Sequence, residues 1–212
     1  MGLVKDSRLY AILDLGYVSG ENAAITAAAL LAGGADLLQL RAKGRDLATI
    51  RRVAETLIPL CRAAGIPLMI NDLPALAAEL GADGVHIGQD DGSLAEARKI
   101  IGPGKLIGRS THSLVQARAA LAEGFDYIGF GPLFPTPTKA GRAAIGLRDI
   151  AAVEREVGAR IPVFCIGGVK RANLTEVAAA GARRVVMVSD LLTAPDVKAA
   201  TREALGYLTP RH

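Results

Sequence analysis

The chain has 212 residues, of which half are hydrophobic, 22% charged and only 4% aromatic, with no tryptophan. That balance suits one domain with a sizeable, aliphatic core, and no apolar run approaches the roughly 20 residues that cross a bilayer. The net charge of +4 admits nucleic acid as a partner, but the cations are dispersed and stacking aromatics are scarce, so a small anionic substrate fits better.

No charged segment followed by an apolar one opens the chain, so no secretory signal is expected and a cytoplasmic location is. Strand-like apolar runs are predicted at 9–14, 37–41, 67–71, 84–87, 106–110, 126–131, 162–166 and 184–188. Helical patterns fall between and after them, at 21–32, 47–64, 75–80, 94–101, 114–123, 147–157, 174–180 and 195–205. Glycines that follow alanine at Gly33, Gly65 and Gly181 suit left-handed helix C-caps, and Asn173 with Glu176 resembles a capping box. Cys61 falls in a helical pattern and Cys165 in a strand, without metal or redox spacing, so both read as buried free thiols. Eight βα units follow one another with no linker or low-complexity break. They favour a single-domain α/β fold, the (β/α)8 TIM barrel over residues 1–212, with a doubly wound sheet as the alternative. In either fold the chemistry belongs at the carboxyl ends of the strands.

Polar residues gather at those ends. Gln39, Arg41 and Lys43 share one side of an extended chain at the end of the second strand. Arg41 can grip a diphosphate with two parallel bonds and Lys43 can add charge; the plainer reading is a solvated basic turn beside Arg45. Asn71 and Asp72 end the third strand, and Asp90 and Asp91 follow the fourth. Two carboxylates on neighbouring loops suit Mg2+, with water and a substrate phosphate completing its shell. Taken singly, Asp72 before Pro74 is an N-cap candidate and Asp91 before Gly92 a turn residue.

Ser110 ends the fifth strand, where its hydroxyl can meet a phosphate or a bridging oxygen. Ser113 should cap the next helix, His112 reads as a hydrogen-bonded spacer, and His86, inside a strand, should pack against or orient a neighbour. The loop 131–139 carries Pro132, Pro135 and Pro137, and then presents Thr136, Thr138 and Lys139. Three prolines stiffen it, while hydroxyls and an ammonium suit an anion, so it reads as a phosphate or diphosphate lid. Gly167 and Gly168 after the seventh strand, with Val188 and Ser189 after the eighth, offer bare backbone to a monophosphate. No Ser-His-Asp or Cys-His order is persuasive, which disfavours covalent hydrolysis.

Set in order, Gln39-Leu-Arg-Ala-Lys43, Ile70-Asn-Asp72, the runs 82–91, 107–112 and 131–139, and Ile166-Gly-Gly168 resemble the motifs of the thiamine phosphate synthase family, over about residues 9–205. The resemblance implies a (β/α)8 barrel and a Mg2+-dependent alkyl transfer. In it, hydroxymethylpyrimidine diphosphate loses diphosphate, and the nitrogen of thiazole phosphate takes the pyrimidine methylene. By motif, Gln39, Arg41, Lys43 and Asn71 would hold the pyrimidine diphosphate, and Asp72 and Asp91 would ligate Mg2+. Ser110 and Lys139 would contact the pyrimidine or diphosphate, which makes Arg41, Lys43, Ser110 and Lys139 the implied catalytic set. Thr136, Thr138, Gly168, Val188 and Ser189 would hold the thiazole phosphate. The implied partners are these two small substrates, without nucleic acid or membrane, and a homo-oligomer is compatible with them.

Two positions depart from the pattern. Leu73-Pro74 stands where the family often has a charged residue, and Asp190 puts a carboxylate beside the proposed monophosphate site, where it would repel phosphate if it pointed inward. A sister family, the thiazole tautomerases, shares the barrel but typically lacks parts of the metal and diphosphate set; this chain keeps Pro132, Asp72, Asp91 and Lys139. A thiamine-pathway protein that binds without turnover is a third reading, against which retention of both aspartates argues.

Overall fold

Eight short apolar runs become parallel strands because nearly every residue in them is buried on both faces. The computed structural model describes residues 2–136 and 143–208. Strands β1 (Leu9–Asp14), β2 (Leu37–Arg41), β3 (Leu68–Asn71), β4 (Gly84–Ile87), β5 (Leu106–Thr111), β6 (Tyr127–Phe130), β7 (Val163–Cys165) and β8 (Val185–Met187) pair in chain order, and β8 closes onto β1. The closed barrel replaces the doubly wound alternative.

Among the described residues the α-helices are α1 (Gly2–Lys5), α2 (Ala23–Gly33), α3 (Leu47–Ala64), α4 (Pro74–Leu80), α5 (Leu94–Ile101), α6 (Leu114–Glu123), α7 (Ile150–Glu156), α8 (Leu174–Ala179), α9 (Ser189–Leu192) and α10 (Val197–Gly206). α3 shows why such segments are helical. Asp46 accepts from the Thr49 N–H at 2.8 Å, Gly65 ends the helix at φ 67°, and Ile50, Val53, Ala54, Leu57 and Cys61 form one buried stripe. Pro59 interrupts its bonding on the exposed side, where water can serve the freed carbonyl.

Two local expectations change. Gly33 is the last residue of α2, and Gly34 takes the left-handed cap at φ 101°. Gly33 is instead a contact point, since a Cβ there would lie 2.5 Å from Thr201 Cβ of α10. Asn173 does not cap α8: its Oδ1 accepts from Lys170 N at 2.8 Å and its Nδ2 donates to Gly168 O at 3.0 Å. A true capping box sits elsewhere, between Ser93 and Glu96 at the start of α5. The predicted cap at Ser113 is present and accepts from Gln116 N at 3.2 Å.

The core has two layers. The layer between strands and helices is mostly aliphatic, as composition predicts, with Phe125 and Phe130 as its buried rings. The inside of the barrel is not. Tyr10, Tyr127 and Phe164 meet there edge to face, with ring centroids 5.3–5.8 Å apart, each pair worth about 0.5–1.5 kcal/mol beyond burial. Room for them comes from small partners: a Cβ on Gly108 would lie 2.1 Å from Tyr127 Cζ. Val4 of α1 joins this inner cluster from the amino end, where Arg184 donates to Lys5 O at 3.0 Å. Cys61 and Cys165 are free and buried, and burial pushes the Cys61 thiol up to about 12 and the Cys165 thiol upward as well.

Candidate active site

The carboxyl ends of the strands surround one pocket of about 820 Å³, its open mouth included. Parallel register decides which side chains reach it. Asn71 pairs with His86, Ser110 with Gly129, and Asp14 with Arg41, so alternate residues of each strand face the barrel interior. Gln39, Arg41, Asn71, Ser110, Thr136, Gly168, Val188 and Ser189 all line the pocket. Pro137, Thr138 and Lys139 lie outside the described residues.

Arg41 is held from below. Its guanidinium pairs with Asp14, whose other carboxylate oxygen accepts from Gly16 N at 2.8 Å. Asp14 is nearly sealed from solvent, and losing one partner of such a pair costs about 3–5 kcal/mol. The pair therefore aims Arg41 before any ligand arrives. Sequence reading missed Asp14, although an acid ending β1 beside a base ending β2 was a usable signal.

Lys43 is more exposed and pairs with Asp72. It does not border the pocket itself. Asp72 has a left-handed backbone at φ 59°, unlike every other described non-glycine residue. That conformation costs on the order of 1–3 kcal/mol and is locked by the bond from Asp72 N to His86 O at 2.9 Å. Asp72 is not an N-cap, because Leu73 occupies that position without a side-chain bond. Burial raises the Asp72 carboxyl above its ordinary range; Lys43 opposes the rise, and the Asp91 carboxylate, within hydrogen-bond reach, adds to it. Asp91 is steadied by Gly88 N at 2.8 Å, so its turn role and its place beside Asp72 coexist.

Two carboxylates that crowd each other fit a divalent cation. Among the described residues no group of three or more His, Cys, Asp or Glu gathers around a common point, so Mg2+ here would complete its shell with water and substrate oxygens.

The opposite rim is built from backbone. Leu133 N donates to Ile166 O at 2.8 Å and Phe134 N to Gly167 O at 3.0 Å, which fastens the root of the proline loop to the end of β7. Gly168, at φ 65°, lies where a Cβ would be 2.7 Å from Phe134 Cβ. Asp190 faces away from this rim: its carboxylate accepts from Arg171 N at 3.1 Å and Arg171 Nε at 2.9 Å, and Arg171 also binds Glu203 at 2.7 Å. The feared repulsion is thus absent. His112 is the spacer its position suggests, with Nδ1 donating to Gly131 O at 2.5 Å. His86 contacts Ser110 Oγ through Nε2 at 3.0 Å.

Known proteins resemble this chain over most of its length. The family model described as thiamine monophosphate synthase matches residues 9–191. A thiamine-phosphate synthase of Thermus thermophilus is 45% identical over 172 residues, covering 81% of this chain and 82% of the relative. One from a Mycobacterium species is 44% identical over 219 residues, covering 96% and 93%. The solved thiamine phosphate pyrophosphorylase from Pyrococcus furiosus superposes with a TM-score of 0.84 at 30% identity, covering 96% of each chain. Identity of this size over most of both chains reflects kinship and not merely a shared barrel: the chain belongs to the thiamine-phosphate synthase family.

Proposed function

We propose that this transferase joins hydroxymethylpyrimidine diphosphate to thiazole phosphate by a dissociative alkyl transfer, releasing diphosphate and thiamine phosphate. The observation that carries the reading is the contrast between the charged strand ends of β2–β4, where Arg41 lines the pocket and Lys43, Asp72 and Asp91 lie just outside its lining, and a neutral, largely backbone rim at β6–β8. The charged rim suits a leaving diphosphate, and the backbone rim suits the acceptor's monophosphate.

An aminopyrimidine stabilises a methylene cation, so breaking the carbon–oxygen bond needs stabilised diphosphate more than it needs a base. Arg41, aimed by Asp14, offers paired donors to the leaving oxygens. Lys43 adds charge at the mouth, and Asn71 and Ser110 offer polar contacts to the pyrimidine half. Asp72 and Asp91 are the residues that would hold Mg2+, whose chemistry there is to neutralise charge on the departing diphosphate. Ile12, Ile166 and Val186 give the pocket apolar walls that keep water from the cation until the thiazole nitrogen bonds to the methylene carbon. Thr136, Gly168, Val188 and Ser189 border the place for the thiazole phosphate, and Thr138 and Lys139 complete the proposed contacts from the lid. A cytoplasmic setting accords with two buried thiols and no disulfide among the described residues.

The test supplies purified protein with both substrates and Mg2+. Thiamine phosphate and diphosphate should form in equal amounts. Isomerised thiazole without either product would move the chain to the tautomerases.

A further inference from the structure

A hydrogen-bond chain crosses the pocket floor, and the substrate contacts above do not account for it. Gln39 Nε2 donates to Tyr10 Oη at 2.5 Å. Tyr10 Oη meets Tyr127 Oη at 3.1 Å, Tyr127 Oη meets His86 Nδ1 at 3.2 Å, and His86 Nε2 meets Ser110 Oγ at 3.0 Å. The five side chains come from β2, β1, β6, β4 and β5, and none is more than 8% exposed.

Such a chain has a direction. Each tyrosine brings one proton, and burial holds both hydroxyls well above their ordinary titration range. Tyr10 Oη accepts from Gln39, and its other partner among the described residues is Tyr127, so its proton goes to Tyr127. Tyr127 then gives its own proton to His86 Nδ1. A ring nitrogen that accepts leaves the imidazole proton on the other nitrogen, so Nε2–H donates to Ser110 Oγ. A hydroxyl that accepts from His86 turns its own proton in another direction, and Ser110 borders the pocket.

We propose that Tyr10, Tyr127 and His86 are positioning residues whose one-way hydrogen-bond chain, set by the Gln39 amide, fixes the Nε2–H tautomer of His86 and makes Ser110 a donor. Given the substrate reading above, on which this last step rests, Ser110 meets an acceptor of the pyrimidine diphosphate, either a ring nitrogen or a phosphate oxygen. The exocyclic amine, itself a donor, must face elsewhere. Turning the Gln39 amide over would reverse every bond and leave Ser110 offering the substrate only lone pairs. The amide is therefore the switch that orients the pocket.

The tautomer is read by 15N NMR on imidazole-labelled protein without substrates. The chain has three histidines, and His86→Gln identifies the relevant signals by their loss. The wild type should show a protonated, pyrrole-type Nε2 and a pyridine-type Nδ1. In Gln39→Glu, a carboxylate that only accepts should move the proton to Nδ1. Tyr127→Phe removes the donor to Nδ1 and should give a mixture of tautomers, with kcat about tenfold lower, the size of one lost positioning bond. A wild-type Nδ1–H tautomer overturns the proposal, and so does a single Nε2–H form that persists in either variant. Because the spectra need no substrate, a failure to make thiamine phosphate would overturn the functional reading and leave the tautomer result standing.

Discussion

Under the proposed function, the two sides of the pocket would bind anions by different means. At β2–β4 the groups are side chains in pairs: Arg41 with Asp14, Lys43 with Asp72, Asp72 with Asp91. At β6–β8 the groups are backbone, brought close by Gly131, Gly167 and Gly168. On that reading, the Lys43–Asp72 pair would open when a cation took the carboxylate, which would free Lys43 for a phosphate. A glycine-built rim has a fixed shape that a phosphate must fit. The difference would suit the proposed reaction, with a leaving group whose charge changes on one side and an acceptor phosphate whose charge does not on the other.

The charged rim should break most severely. Asp91→Ala removes one of two crowded carboxylates, so Mg2+-dependent turnover should fall by about a hundredfold to a thousandfold. The apparent KM for Mg2+ should rise while the KM for thiazole phosphate stays within about twofold, since the proposal puts that ligand at the other rim. Unchanged rate and magnesium dependence would remove the metal assignment and collapse the contrast between the rims.

The backbone rim should break through shape. Gly168→Ala sets a Cβ 2.7 Å from Phe134 Cβ and 3.1 Å from Pro135 O, on a backbone at φ 65°. We expect a stability loss of about 1–3 kcal/mol in denaturant melts, and a KM for thiazole phosphate raised about tenfold. The KM for Mg2+ should not move. A variant that raised the pyrimidine diphosphate KM instead would show that the rims had been assigned the wrong way round.

Much of this was legible in the chain because the fold is local and repetitive. Residues 9–14, 37–41, 84–87, 47–64, 94–101 and 114–123 match their elements end to end, since each is bounded by a cap, a turn or a change of apolar period. The later strands, β7 and β8, are shorter than their apolar runs suggest. There the chain leaves the ladder to form the glycine rim and α9, and apolarity alone does not mark that departure. The pairing of Asp14 with Arg41 was missed because it depends on register between strands and not on spacing within one. The tyrosine chain was missed for another reason. Low aromatic content implied an aliphatic core, yet three of the few aromatics gather in the barrel interior, where Gly108 of β5 makes room. Asn173 fitted a capping box by sequence, but its amide bonds back to Lys170 and Gly168 in its own loop, where Asn173 belongs to a short 3-10 turn before α8.

The smallest effect belongs to the position that looked most troublesome in sequence. Asp190 sits beside Ser189, yet Arg171 draws its carboxylate away from the pocket and Glu203 shares that arginine. Such half-exposed ion pairs contribute about 0–1 kcal/mol, and here part of the bond goes to the Arg171 backbone, which holds the turn after the glycine rim. Asp190→Asn keeps an acceptor for that N–H and removes the charge. If the carboxylate faced the thiazole phosphate, deleting its charge would tighten binding severalfold. The geometry predicts no tightening: KM for thiazole phosphate should stay within about twofold, and Tm should fall by no more than a few degrees. A clear drop in that KM would mean that Asp190 reaches the acceptor site during turnover, and that the second rim is less neutral than its backbone construction implies.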